Sequence, residues 1–162
     1  QSLFTTVHSY TADQNLVDGP HKDLRRARAA AINIVPTTTG AAKTVTKIIT
    51  ELDKKFDGLA IRVPTSVVSL SDVVAVLERP TTIEEINSVF EKVATGEMKN
   101  ILAVSDEPLV SSDLVGSSAS AIIDLSLTNL IGGNLAKVIA WYDNEWGYSC
   151  RLVEMAKLVG KR

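Results

Sequence analysis

The chain has 162 residues, 45 % of them hydrophobic, and 17 basic against 19 acidic side chains leave a formal charge of −2. That is enough chain for one domain with its own core. The balanced charge argues against a nucleic-acid partner, and no apolar run is long enough for a membrane span. The single cysteine, Cys150, excludes an internal disulfide and fits a reducing, cytoplasmic setting, and no secretory leader is expected.

Phe4 to Thr11 reads as a buried strand, because Thr5, Thr6 and Val7 are β-branched and favour extended backbone. It carries His8, the one group there that titrates near neutral pH and so the candidate acid/base. Thr11 should lie where the strand runs out, with its hydroxyl beside the imidazole. A hydrogen-bonded core histidine is the plainer reading, but anion-binding chemistry recurs along the chain. Ala12 to Asn33 should be a long loop turning at Asp18-Gly19-Pro20. It ends in a basic cluster, His21 to Arg28, which suits a solvated loop or a compact phosphate clamp. The chain enters its first strand almost at once from Gln1, which suggests a piece of a longer polypeptide.

Ala29 to Val35 should become extended and stop at Pro36. Thr37-Thr38-Thr39-Gly40-Ala41-Ala42-Lys43 reads as a helix start with a threonine N-cap, and Val45, Ile48, Ile49 and Leu52 should make its buried face. Free N–H groups and a positive dipole end beside glycine and hydroxyls suit a phosphate. Leu59 to Val63 should be a strand carrying Arg62 among apolar neighbours, so that its guanidinium needs a carboxylate or a bound anion. The β-branched run Val67 to Leu77 reads as a central strand.

Thr82 and Glu85 match a capping box, and Ile83, Ile86, Val89, Phe90 and Val93 should line the helix that follows as far as Gly96. Strands are expected at Ile101–Ser105, Leu109–Asp113 and Ala119–Asp124, and a hairpin joins Ser126–Ile131 to Leu135–Trp141 through Gly132-Gly133-Asn134. The aromatic block from Trp141 to Ser149 suits either a wall for a planar ligand or a packed junction. A last helix, from about residue 146, presents Leu152, Met155, Ala156 and Val159. The fold class is therefore α+β, a mixed and largely antiparallel sheet covered on one face by helices, with no Gly-rich dinucleotide fingerprint.

Five blocks in order, Thr5-Thr6-Val7-His8-Ser9-Tyr10-Thr11, Asp23 to Ala30, Pro36 to Lys43, Arg62-Val63-Pro64-Thr65 and Trp141 to Ser149, resemble the phosphorylating glyceraldehyde-3-phosphate dehydrogenases over essentially the whole chain. The resemblance implies that residues 1–162 are the C-terminal catalytic domain, with segment 12–33 similar to the family's S-loop. It implies oxidation of glyceraldehyde 3-phosphate, with inorganic phosphate, to 1,3-bisphosphoglycerate, using NAD with NADP as the other possibility, in a homotetramer. Gly19-Pro20 is more similar to the NAD-preferring members. By the same resemblance His8 activates a catalytic thiol, Thr11, Arg26 and Arg62 hold the substrate phosphate, Thr39 and Gly40 help bind inorganic phosphate, and Asn144 meets the nicotinamide carboxamide. No metal is implied. The family's dinucleotide-binding (Rossmann) domain and its Ser-Cys-Thr-Thr-Asn nucleophile motif have no counterpart in these residues, and Cys150 does not match the nucleophile. These residues alone are therefore expected to be inactive. An erythrose-4-phosphate dehydrogenase and a noncatalytic oligomerising module are the alternatives.

Overall fold

The computed structural model of the protein describes residues 1–160. Seven strands form one sheet: β1 (Ser2–Ser9), β2 (Val35–Thr37), β3 (Phe56–Val63), β4 (Ser69–Val76), β5 (Leu102–Ser105), β6 (Ala121–Ile131) and β7 (Leu135–Tyr142). They lie in the order β2-β3-β1-β4-β7-β6-β5, with β4 in the middle, as its β-branched sequence requires. β1 runs parallel to β3 and β5 to β6; the other pairings are antiparallel. Three helices, α1 (Ala41–Ile48), α2 (Ile83–Thr95) and α3 (Trp146–Val159), complete the α+β fold expected from the sequence. α1 lies against β3, and α2 against β5 and β6.

Alternation along β1 sorts its side chains. Phe4 and Thr6 are buried, and Phe4 stacks on Phe56 at 5.0 Å. Leu3 and Leu59, on the opposite face, stay exposed. A second core of Val68, Leu114, Ala119 and Ile122 closes the other half of the sheet, with Trp141 against it. The Thr82 hydroxyl accepts from the Glu85 N–H at 3.2 Å, the N-cap expected for α2, and Gly96 ends that helix. The hairpin between β6 and β7 turns on Gly132 and Gly133, at φ +59° and +79°, a region glycine enters without steric cost.

Several expectations are corrected. Pro36 sits inside β2 and does not end a strand. β2 is an edge, so the missing N–H costs no ladder bond. The residues before it, Ala30–Ile32, form a 3-10 turn. Gly40, not a threonine, is the N-cap of α1, which ends at Ile48. Of its expected apolar face, Ile48 is 78 % exposed and Ile49 about half exposed, since only Ala42 of that helix reaches the core. Leu109–Asp113 is no strand: Asp113 accepts from the Val110 N–H at 2.8 Å and folds Ser111–Leu114 into a 3-10 turn. The strands at 119–124 and 126–131 are one, β6, with an irregularity between Asp124 and Asn129 that absorbs the break.

α3 shows most of its apolar side chains to solvent, including Leu152, Met155 and Val159, and its one buried residue is Gly147. A Cβ there would stand 2.5 Å from the Ala119 carbonyl oxygen, a backbone atom that cannot swing aside. Helix propensity alone favours Gly147→Ala by about 1 kcal/mol. The contact reverses the sign, and a net loss of about 1–3 kcal/mol is expected in urea unfolding; a stabilised variant would show that α3 does not seat against residue 119.

Candidate active site

The parallel register of β1 and β3 sets His8 directly beside Arg62, near the ends of both strands. Paired residues share a face, so imidazole and guanidinium project together. His8 Nδ1 lies 2.6 Å from the Ser9 carbonyl oxygen. A carbonyl only accepts, so Nδ1 carries the proton and Nε2 of the neutral ring keeps its lone pair. The ring meets Tyr142 edge-on, centroids 6.2 Å apart. Burial raises the Tyr142 phenol above its ordinary range, and Ser69, Thr6 and Arg62 only partly oppose this, so the hydroxyl stays neutral.

Arg62 answers the choice left open by the sequence. Among the described residues it makes no ion pair. One Nη donates to the Thr11 hydroxyl, and to Gln14 Oε1 at 3.3 Å, both neutral. Its Nε and the Nε2 of Gln14 are buried donors without a partner. Burial first, then the nearby Arg26 guanidinium, weakens its hold on its proton. Asp13 and Asp23 oppose this in part.

Arg26 is differently placed. Its guanidinium donates to Asp13 at 2.6 Å, to the Thr37 hydroxyl at 2.7 Å and to the Thr38 carbonyl at 3.2 Å, with Asp23 at 3.5 Å. Asp23 also accepts from the Arg25 and Arg26 N–H groups, which folds the basic cluster into a turn; first the Arg25 N–H, with burial opposing, holds its carboxyl below the usual range. Thr39 and Gly40 follow Thr38 and line a groove with Asp23, Arg25 and Lys43. Arg26 lies between them and Arg62: it donates to the Thr38 carbonyl and its charge is felt at Arg62.

Asn144 joins the same end of the sheet. Its Oδ1 accepts from Ser69 Oγ at 2.6 Å and its Nδ2 donates to Ser9 Oγ. The aromatic block divides: Trp141 packs in the core with Nε1 donating to Asp124 at 3.2 Å, Tyr142 faces His8, and Trp146 and Tyr148 are exposed. It forms no single wall. Cys150 lies in a different groove, with Lys99, Asn100 and Arg151, and none of the His8 cluster lines it. Gln14, Asp13, Ser69 and Ser9 are the members that sequence reasoning did not single out, since a lone amide in a loop and two serines in strands carry no distinguishing pattern.

A histidine and an arginine thus share one register on an α+β sheet. Residues 1–144 match the family model described as the glyceraldehyde 3-phosphate dehydrogenase C-terminal domain. Among curated relatives, the glyceraldehyde-3-phosphate dehydrogenase of Mycobacterium avium is 55 % identical over 99 % of this chain and 47 % of its own length. That of Geobacillus stearothermophilus is 54 % identical over all of this chain and 48 % of its own, and the chloroplastic enzyme A of Chlamydomonas reinhardtii is 54 % identical over all of this chain and 43 % of its own. The chain belongs to the glyceraldehyde-3-phosphate dehydrogenase family and spans about half the length of these relatives. Among the described residues no helix is long and apolar enough to cross a membrane.

Asp143 fixes the turn that presents Asn144. Its carboxylate accepts from the N–H groups of Glu145 (3.0 Å), Trp146 (2.8 Å) and Gly116 (2.9 Å), and it is 5 % exposed. Burial pushes this carboxyl up, but the three N–H groups outweigh it and leave it below the ordinary value. A depressed folded value means stability that is complete above the unfolded value, about 3.9, and lost as pH falls through the folded one. Asp143→Asn should cost about 1–3 kcal/mol at neutral pH and flatten the acid limb of a urea-unfolding series. An unchanged limb would show that this carboxylate is not what acid titrates.

Proposed function

We propose that this chain is the catalytic part of a glycolytic glyceraldehyde-3-phosphate dehydrogenase that forms 1,3-bisphosphoglycerate from glyceraldehyde 3-phosphate and inorganic phosphate. The observation that carries the reading is Arg62: a half-buried guanidinium with neutral hydrogen-bond partners and an unmatched Nε, beside a histidine whose tautomer leaves the Nε2 lone pair free. A phosphate dianion supplies the charge and the acceptors that Arg62, Thr11 and Gln14 lack. Arg26 borders the site and reaches an anion by exchanging the Asp13 carboxylate for it. Thr39 and Gly40 take the second phosphate at the start of α1.

His8 Nε2 receives the proton of the attacking thiol and returns a proton later in the cycle. NAD, or NADP, supplies a hydride acceptor when bound. Asn144 fits its carboxamide, because one N–H and one lone pair of the side-chain amide remain after Ser9 and Ser69 are satisfied. Homo-oligomerisation, as a tetramer, is supported by the apolar side chains left open at Leu3 and Leu59. The triose substrate is preferred over erythrose 4-phosphate on the strength of Thr37-Thr38-Thr39-Gly40.

The test is NADH production by the complete polypeptide. His8→Asn should lower kcat by about 10²–10⁴, and Arg62→Leu should raise KM for the triose phosphate at least about tenfold, consistent with about 1.5–3 kcal/mol for a charge-assisted bond. Residues 1–162 expressed alone should be inactive. Undiminished turnover in His8→Asn, or an unchanged KM in Arg62→Leu, would contradict the assignment.

A further inference from the structure

Ser9 and Ser69 are closed to solvent, at 0 % and 2 % exposed. Neither fills a void in an apolar core. The Ser9 N–H donates to Ser69 Oγ at 3.1 Å, which fixes that oxygen as an acceptor and leaves it one proton to give. That proton goes to Asn144 Oδ1, 2.6 Å away. Asn144 Nδ2 in turn donates to Ser9 Oγ, and the Ser9 carbonyl accepts from His8 Nδ1. The two serine hydroxyls thus bracket the amide of Asn144 from two strands. Either serine alone would leave the amide one anchor about which to turn; both together hold it in place.

The backbone supports the same arrangement. Val68, directly before Ser69, sits at φ +68°, a left-handed conformation that a β-branched residue adopts only under constraint. Its side chain is 3 % exposed, held among Leu114, Ala119 and Ile122. Core packing thus bends the chain immediately before the serine that grips Asn144, an association of strain with function that has precedent at binding sites.

We propose that Ser69, acting with Ser9, is a positioning residue that holds the amide of Asn144 in place and so presents its remaining N–H and lone pair to the carboxamide of a ligand. The proposal rests on the reading of Asn144 as the nicotinamide contact.

The experiment compares NAD with ADP-ribose, which lacks the nicotinamide ring, by titration of the complete polypeptide and its Ser69→Ala, Asn144→Ala and double variants. Ser69→Ala is expected to weaken NAD about tenfold and leave ADP-ribose unchanged. Asn144→Ala should do the same, and the double variant should be no weaker than Asn144→Ala alone. A crystal structure of unliganded Ser69→Ala should show the Asn144 amide rotated from its present place. Equal weakening of both ligands by Ser69→Ala, unchanged NAD affinity, or an Asn144 side chain that stays put overturns the positioning role. If Asn144→Ala binds NAD normally while the amide does rotate in Ser69→Ala, the cofactor contact is wrong although the lock is real, and the proposal falls on that side instead.

Discussion

A guanidinium taken out of water without a carboxylate organises this end of the molecule. Desolvating such a charge costs several kcal/mol, and neutral hydroxyl and amide partners return only part of it. Arg62 is in that position. It is partly buried, bonded to Thr11 and Gln14, left with an unmatched Nε, and weakened further by Arg26. The neighbouring carboxylates, Asp13 and Asp23, are spent on Arg26. Two guanidinium groups and two carboxylates share this corner, but the hydrogen-bond partners of Arg62 itself are neutral and its Nε is unmatched, so an anion would supply the acceptor it lacks.

The sheet makes this possible because one register serves two ends. Pairing β1 with β3 brings His8 to Arg62, and pairing β1 with β4 and β4 with β7 brings Ser69 and Tyr142 to the same edge. Ser9 then connects the parts. Its carbonyl sets the imidazole tautomer, its N–H donates to the Ser69 hydroxyl, and its own hydroxyl receives the Asn144 amide. His8, Arg62, Ser9 and Ser69 are thereby fixed by strands, while Thr11, Gln14 and Asn144 reach them from the adjoining loop and turn.

Much of this was legible in the sequence where local chemistry is strong. The Thr82 cap, the glycine hairpin, the central β4 and the strand carrying Arg62 follow from residue type and spacing. Pairing across distance was not legible. The exposed outer faces of α1 and α3 have the same periodicity as buried ones, and pattern alone cannot say whether a partner surface is there. Pro36 read as a terminator because a sequence does not show which strand is an edge. In the site, Arg62 stood out by its apolar neighbours, and the choice between carboxylate and anion needed coordinates. Gln14, Ser9 and Ser69 were silent, since their roles come from which strands meet and not from any motif.

The central claim is that Arg62 waits for an anion. The direct measurement is a crystal structure of the complete polypeptide in saturating inorganic phosphate. The account requires density for a phosphate within hydrogen-bond reach of Arg62 Nε and Gln14 Nε2. A well-ordered Arg62 with nothing bound, or one turned onto Asp13 as its counter-ion, would contradict it.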